Sequence, residues 1–341
     1  MRYFLWLGAI TIVLTACTTA QAPSSSAPAP EVRGVASRPI SQADGSSLVA
    51  YVVNQNSDDV VAIDLDARAV VGRAPTGRNP HEIVASPDGA RLFTSDQQGN
   101  TISVLDAESL QLVARWAGGA APHGLEMTAD GRYLLVTNEP RAEVLVLDAG
   151  TGEIVGRLSA ALGAHVIHRS PDGMRAYVTN TSGSLTVLDL LGMSTVKTIE
   201  MGSGAEGLGV SPDGRWVYVA NRGADDVWVV DAERLEIVER IPVHHEPIRI
   251  VFSPDSKIAY VSQIAGDRIL AVDTATRGIV GSYTAGNGPI GMAVSRDGTY
   301  LYAANIFSGN LSVINTVTGA TEAQLPAGDG PDGMVLLQRP N

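Results

Sequence analysis

A turn of the form Ser-Pro-Asp-Gly returns through this chain every 41 or 42 residues. It stands complete at Ser86-Pro87-Asp88-Gly89, Ser170-Pro171-Asp172-Gly173 and Ser211-Pro212-Asp213-Gly214. Variants at Thr128-Ala129-Asp130-Gly131, Ser253-Pro254-Asp255-Ser256 and Ser295-Arg296-Asp297-Gly298 fill the gaps, so the closing positions 89, 131, 173, 214, 256 and 298 keep one period. A fixed period of this length is the mark of a repeat architecture in which each unit buries its faces only against its neighbours. Ser first, Pro second and Gly fourth suit a type I turn. Within one period four short runs rich in β-branched and aromatic residues alternate with polar turns, and no stretch carries helical apolar spacing. The chain therefore reads as all-β, built from four-stranded antiparallel units.

Counting the runs gives the closure. The second, third and fourth runs occur seven times, from 50, 60 and 70 onward, whereas the seventh first-type run comes last, at 333–337. The two ends of the domain thus share one blade, which ties a ring and leaves no open edge between the first and last units. A seven-bladed β-propeller over residues 48–341 is expected.

The second runs read Tyr51-Val52-Val53-Asn54, Tyr177-Val178-Thr179-Asn180, Tyr218-Val219-Ala220-Asn221 and Tyr302-Ala303-Ala304-Asn305, with Leu135-Val136-Thr137-Asn138 close to them. These segments resemble the Tyr-Val-Thr-Asn (YVTN) repeat family of propellers, which includes archaeal surface-layer proteins and bacterial periplasmic relatives. The resemblance implies the fold; the architecture itself hosts binding proteins, lactonases and haem-bearing enzymes.

The start of the chain reads as an address. Met1-Arg2 precedes an apolar stretch too short to span a bilayer as a mature helix, as in a cleaved export signal over residues 1–16. Leu14-Thr15-Ala16-Cys17 resembles the bacterial lipobox, in which the cysteine becomes the lipidated first residue. Cys17 is the single cysteine of the chain, and lipidation accounts for an otherwise unpaired thiol in an exported protein. Residues 17–47 then form an Ala-, Pro- and Ser-rich tether with no apolar periodicity. Because Thr18 stands where inner-membrane lipoproteins of this kind usually carry Asp, the resemblance implies the outer membrane, facing the periplasm. After removal of residues 1–16 the chain keeps 23 basic against 36 acidic residues, a net charge of −13. It lacks the basic surface that neutralises phosphates, so no nucleic-acid partner is expected. A monomer with a protein or small-molecule partner at the propeller rim is the expectation.

In a repeat protein the shared positions hold the fold, and chemistry is sought where copies differ. The position opening each innermost strand holds His81, His123, His165, Glu206, Ile248, Ile290 and Asp332, spaced 42, 42, 41, 42, 42 and 42. Ring closure makes Asp332 the neighbour of His81, so Asp, His, His, His and Glu stand on five consecutive blades and two Ile complete the circle. Three imidazoles flanked by carboxylates form a ligand set for Cu, Zn, Fe or Mn, provided the channel lets them converge. Wet channel lining is the plainer reading. Nitrous oxide reductase and haem-d1 propellers offer a resemblance, since both use this part of the fold, but this chain has no Cys-X-X-Cys-His. On the same rim lie His244 and His245. Arg249 occupies a column that is Gly in four copies (Gly124, Gly207, Gly291 and Gly333); these three residues are candidates to meet an anionic cofactor. The alternative for Arg249 is an ion pair with Glu206. Strand parity sets His168 apart from His165, as a core or blade-seam residue. The Asp closing six third runs reads as a turn cap, and Asp58-Asp59 and Asp225-Asp226 lack the spacing of a calcium loop. Three functions stay open: an envelope binding or scaffold module, a metal- or cofactor-dependent periplasmic enzyme or metal carrier, and a lactone hydrolase of the propeller type.

Overall fold

The structure, a computed structural model, describes residues 46–340. Residues 1–16, read above as an export signal, Cys17 and nearly all of the expected tether lie outside the described residues. Seven four-stranded antiparallel sheets follow one another, and the ring closes as the sequence demands. In blade 1 the C-terminal strand Pro331–Pro340 lies innermost and pairs with Ser46–Asn54, which leads outward to Asp59–Asp64 and Ala69–Pro75. Blades 2 to 7 begin with inner strands Pro80–Ala85, Pro122–Met127, Ala164–Arg169, Ala205–Val210, Pro247–Phe252 and Pro289–Val294. Among the described residues no helix is long and apolar enough to cross a membrane, and the helical pieces are three single 3₁₀ turns.

Burial explains the run types. A middle strand has a blade on either side, so Glu143–Asp148 is buried along its whole centre and reads as an unbroken apolar run. An outer strand such as Leu112–Ala117 is mostly exposed. The core is therefore a set of seams between consecutive blades. Phe93 and Val104 of blade 2 pack with Leu125, Leu134 and Leu145 of blade 3, and Val52 and Val61 pack with Tyr302 and Leu311 where blade 7 meets blade 1.

The repeated turn and the Asp caps behave as their chemistry dictates. Gly89 adopts a positive φ of 69° and its N–H donates to the Ser86 carbonyl at 2.8 Å. The Ser86 hydroxyl donates to Asp88 and accepts from the Arg91 N–H at 3.0 Å. Asp106 accepts the Ser109 N–H at 2.8 Å, and Asp148, Asp231 and Asp273 repeat the cap. Asp59 and Asp226 each accept a side-chain amide proton, from Asn54 and Asn221.

Two features of the inner strands prepare the channel. Each opens with a break in register, between Pro80 and Ile83, Pro122 and Leu125, Ala164 and Ile167, Ala205 and Gly207, Pro247 and Arg249, and Pro289 and Gly291. The column from His81 to Ile290 is thus the bulged, unpaired residue of its strand, and a bulge re-aims the side chain it carries. The Gly column follows from close approach. A Cβ on Gly207 would lie 1.9 Å from the Ile248 carbonyl oxygen, and one on Gly291 1.9 Å from that of Asp332.

Candidate functional site: the channel mouth

The bulges of blades 2, 3 and 4 bring three imidazoles into contact. The His81 and His123 ring centroids are 4.6 Å apart, and those of His123 and His165 are 3.7 Å apart in a stacked pair. The channel is narrow enough for convergence. Glu139, which opens a 3₁₀ turn after the second strand of blade 3, reaches to 3.6 Å from His165 Nε2. Ligand atoms of His123, Glu139 and His165 all lie within 4.8 Å of one another, close enough for side-chain rotation to bring them to one ion.

Electrostatics keep this pair of rings neutral. Burial holds His123 well below the ordinary histidine range, and the neighbouring His165 and His81 add to the effect. Burial likewise pushes His165 down to about 3, aided by the Arg249 charge. Neutral imidazole is the form that ligates metals. Burial raises the pKa of Glu139, opposed by His81. Among the described residues the buried Nδ1 of His123 has no hydrogen-bond partner, although buried polar atoms are nearly always paired. His165 Nδ1 lies 3.3 Å from the Glu206 carbonyl oxygen, which leaves Nε2 on the side of Glu139.

The remaining members of the column are engaged elsewhere. Asp332 is 1% exposed, accepts from Gln55 at 2.5 Å and lies 3.2 Å from His81 Nδ1. His81 Nε2 in turn lies 3.0 Å from Asn79 Oδ1. Burial opposes ionisation of Asp332, but its bond to His81 and the charge of Arg249 prevail and hold its pKa below the usual carboxylate range. The Glu206 carboxylate faces Arg222 at 3.4 Å, and Arg222 also bonds Glu246 at 2.7 Å. Arg249 does not turn to Glu206. It crosses the channel from blade 6 to contact Glu82 of blade 2 and lies 3.6 Å from Asp332 of blade 1, a buried ion cluster beneath the imidazoles. His244 and His245 are exposed on the rim loop of blade 6, at φ of 59° and 54°. His168 is 45% exposed beside Glu126 of blade 3, so it stands at a blade seam and not in the core.

Glu139 belongs to a second column that the one-column comparison passes over. The residue after each second run is Gln55, Gln97, Glu139, Thr181, Arg222, Ile264 and Ile306. It repeats the division of the first column blade by blade. Gln55 meets Asp332, Glu139 meets His165 and Arg222 meets Glu206, while Ile264 and Ile306 pack with Ile248 and Ile290. The mouth therefore has a polar arc over blades 1 to 5 and an apolar arc over blades 6 and 7.

Acidification tests the neutral state of the rings. Below pH ~6.5 an unfolded histidine takes up a proton that folded His123 and His165 refuse, so the unfolded state binds more protons and stability falls with pH. Glu82 and Glu139, raised in the fold, act in the opposite sense over the lower part of the range. The expected result is a thermal midpoint that drops steadily from pH 6.5 to pH 5 in a metal-free sample; a flat midpoint there would mean that the folded rings take up protons as readily as the unfolded ones.

The class defined by fold and site is a seven-bladed propeller with a histidine-lined channel mouth. Residues 136–249 match the family described as the Cytochrome D1 heme domain, a span that contains Glu139, His165 and Arg249. Hydrazine synthase of Kuenenia stuttgartiensis is similar in structure, with a TM-score of 0.67 at 21% identity over 77% of this chain and 95% of that one. A functionally unknown protein of Desulfotomaculum acetoxidans superimposes with a TM-score of 0.75 at 15% identity, covering 86% of this chain and 99% of its own. Dihydro-heme d1 dehydrogenase NirN in complex with DHE gives 0.64 at 20% identity over 88% and 77%. At these identities the likeness is one of fold. No curated protein matches the chain.

Proposed function

We propose that this chain is a ligand-binding propeller of the cell envelope that holds a divalent transition-metal ion at its channel mouth through His123, Glu139 and His165. The observation that carries the reading is the neutral, stacked pair of imidazoles, His123 buried and His165 half-buried, with a carboxylate beside them and, among the described residues, no partner for Nδ1 of His123. Two imidazoles and one carboxylate suit Fe(II), Zn(II), Cu(II) or Mn(II) and leave coordination positions open. Such an ion supplies a Lewis-acid point to which a small ligand binds. The polar arc of Gln55, Glu206 and Arg222 and the apolar arc of isoleucines then give that ligand two unlike walls. Titration with Co(II) tests the reading: d–d absorption that saturates at one equivalent supports it, and no spectral change overturns it.

A second reading has an observation of its own. The Cytochrome D1 match and the haem-related neighbour favour a tetrapyrrole at the same mouth, where His123 or His165 would hold its iron and the isoleucine arc would offer an apolar wall. Haemin titration separates the two, because a shifted Soret band lost in the His165→Ala variant belongs to this reading alone.

The envelope half of the proposal rests on the lipobox resemblance at Cys17 and on the repeat resemblance to periplasmic propellers. Expression of the full chain in a Gram-negative host is expected to give acylated protein in the outer-membrane fraction. Cys17→Ser is expected to abolish acylation and release the propeller from the membrane; acylated Cys17→Ser protein would refute the anchor.

A further inference from the structure

The opposite mouth of the channel carries a second departure from the repeat. Three residues beyond the bulge column, the inner strands hold Val84, Glu126, His168, Gly209, Val251, Ala293 and Val335. The next position holds Ala85, Met127, Arg169, Val210, Phe252, Val294 and Leu336. Both columns are apolar or Gly except at Glu126, His168 and Arg169, which stand together on blades 3 and 4. They border a cleft of about 340 Å³ whose other wall includes Val210, Ile250, Val251 and Phe252.

The polar groups are ordered by Glu126. Its carboxylate accepts the Arg169 backbone N–H at 3.1 Å and lies 3.5 Å from His168 Nδ1 and 3.4 Å from Arg169 Nε. Arg169 Nε is buried and makes no hydrogen bond at that distance. Among the described residues the Nη groups of Arg169 and Nε2 of His168 have no partner, and both side chains line the cleft. A guanidinium with free Nη donors beside an apolar wall matches an anionic head joined to an apolar body. Gly209 gives the cleft its depth: a Cβ there would come within 3.0 Å of Ile250 Cγ2 and 3.1 Å of Phe252 Cε2.

We propose that this cleft is a second binding site, for a small carboxylic acid with an aliphatic or aromatic body. The carboxylate pairs with the Arg169 guanidinium beside His168, and the body lies on Ile250, Val251 and Phe252. A guanidinium fork pairs with carboxylate in two parallel bonds, and the buried apolar area ranks ligands by chain length. The site is independent of the metal reading, since His165 and His168 lie at opposite ends of one strand.

Calorimetric titration of the mature propeller with hexanoate and with acetate tests the proposal. Saturable binding that is tighter for hexanoate than for acetate is expected. Arg169→Gln is expected to weaken hexanoate by about tenfold or more, the worth of a charge-assisted pair. Val251→Trp, which fills the cleft and spares the guanidinium, is expected to weaken it as well, while both variants keep the wild-type circular dichroism. Absence of saturable binding, equal affinity for the two acids, or hexanoate binding unchanged in Arg169→Gln would each overturn the assignment. So would displacement of hexanoate by equimolar inorganic phosphate, or loss of binding in His165→Ala, which would put the acid at the other mouth.

Discussion

Replacing His165 with Ala is expected to weaken Zn(II) or Co(II) binding by on the order of a hundredfold or more. Loss of an outer-shell partner alone typically lowers metal affinity 10–100-fold, and His165 would be a direct ligand. The same loss is expected for His123→Ala. Glu139→Gln is the sharper probe of the trio, because it keeps size and removes the charge that balances a divalent cation. His81 provides the contrast. Its Nδ1 faces Asp332 and its Nε2 faces Asn79, so His81→Ala is expected to leave a site that still saturates with one ion. Competition with a chromophoric chelator reads all four variants on one scale. Equal affinity in the wild type and His165→Ala would remove the trio from consideration.

Arg249→Met is expected to be among the most destabilising single changes in the domain. It leaves Glu82 and Asp332 facing each other in the channel without their shared cation, and breaking a buried ion pair from one side typically costs about 3–5 kcal/mol. Burial already raises the pKa of Glu82 against the pull of Arg249, so removal of the guanidinium drives it to bind a proton. Adding Glu82→Gln to Arg249→Met is therefore expected to restore part of the loss. Denaturant midpoints of the single and double variants measure this coupling. The exposed pair of Lys257 with Asp255 is a control, since exposed pairs contribute about 0–1 kcal/mol. A midpoint shift for Arg249→Met no larger than that of Lys257→Ala would show that the cross-channel cluster carries no stability.

The ring was legible because its information is periodic. The Ser-Pro-Asp-Gly turn and the order of run types fix seven blades and the shared one without any knowledge of contacts. The bulge column was legible for the same reason, whereas the close approach of the Gly column to a carbonyl oxygen of the next inner strand emerges only from the fold. Glu139 was legible in principle. It sits in a column that splits into polar and apolar arcs as the first does, but the signal appears only when two columns are laid side by side. The pairing of Arg249 with Glu82 was not legible. The two residues lie on blades 6 and 2, 167 positions apart, and only the channel's diameter lets one guanidinium reach both Glu82 and Asp332. Parity counting from His165 to His168 runs across the register break between Ala164 and Ile167, and it gave no hint that His168 is 45% exposed at the far mouth.

Elemental analysis of the mature protein, purified without an affinity His-tag or chelators, tests the central claim most directly. The account predicts close to one equivalent of a first-row transition metal per chain, absent from protein carrying His123→Ala and His165→Ala. A wild-type protein that holds no metal, and takes none up on reconstitution with Fe(II), Zn(II), Cu(II) or Mn(II), would contradict it and leave the imidazole ring as channel lining.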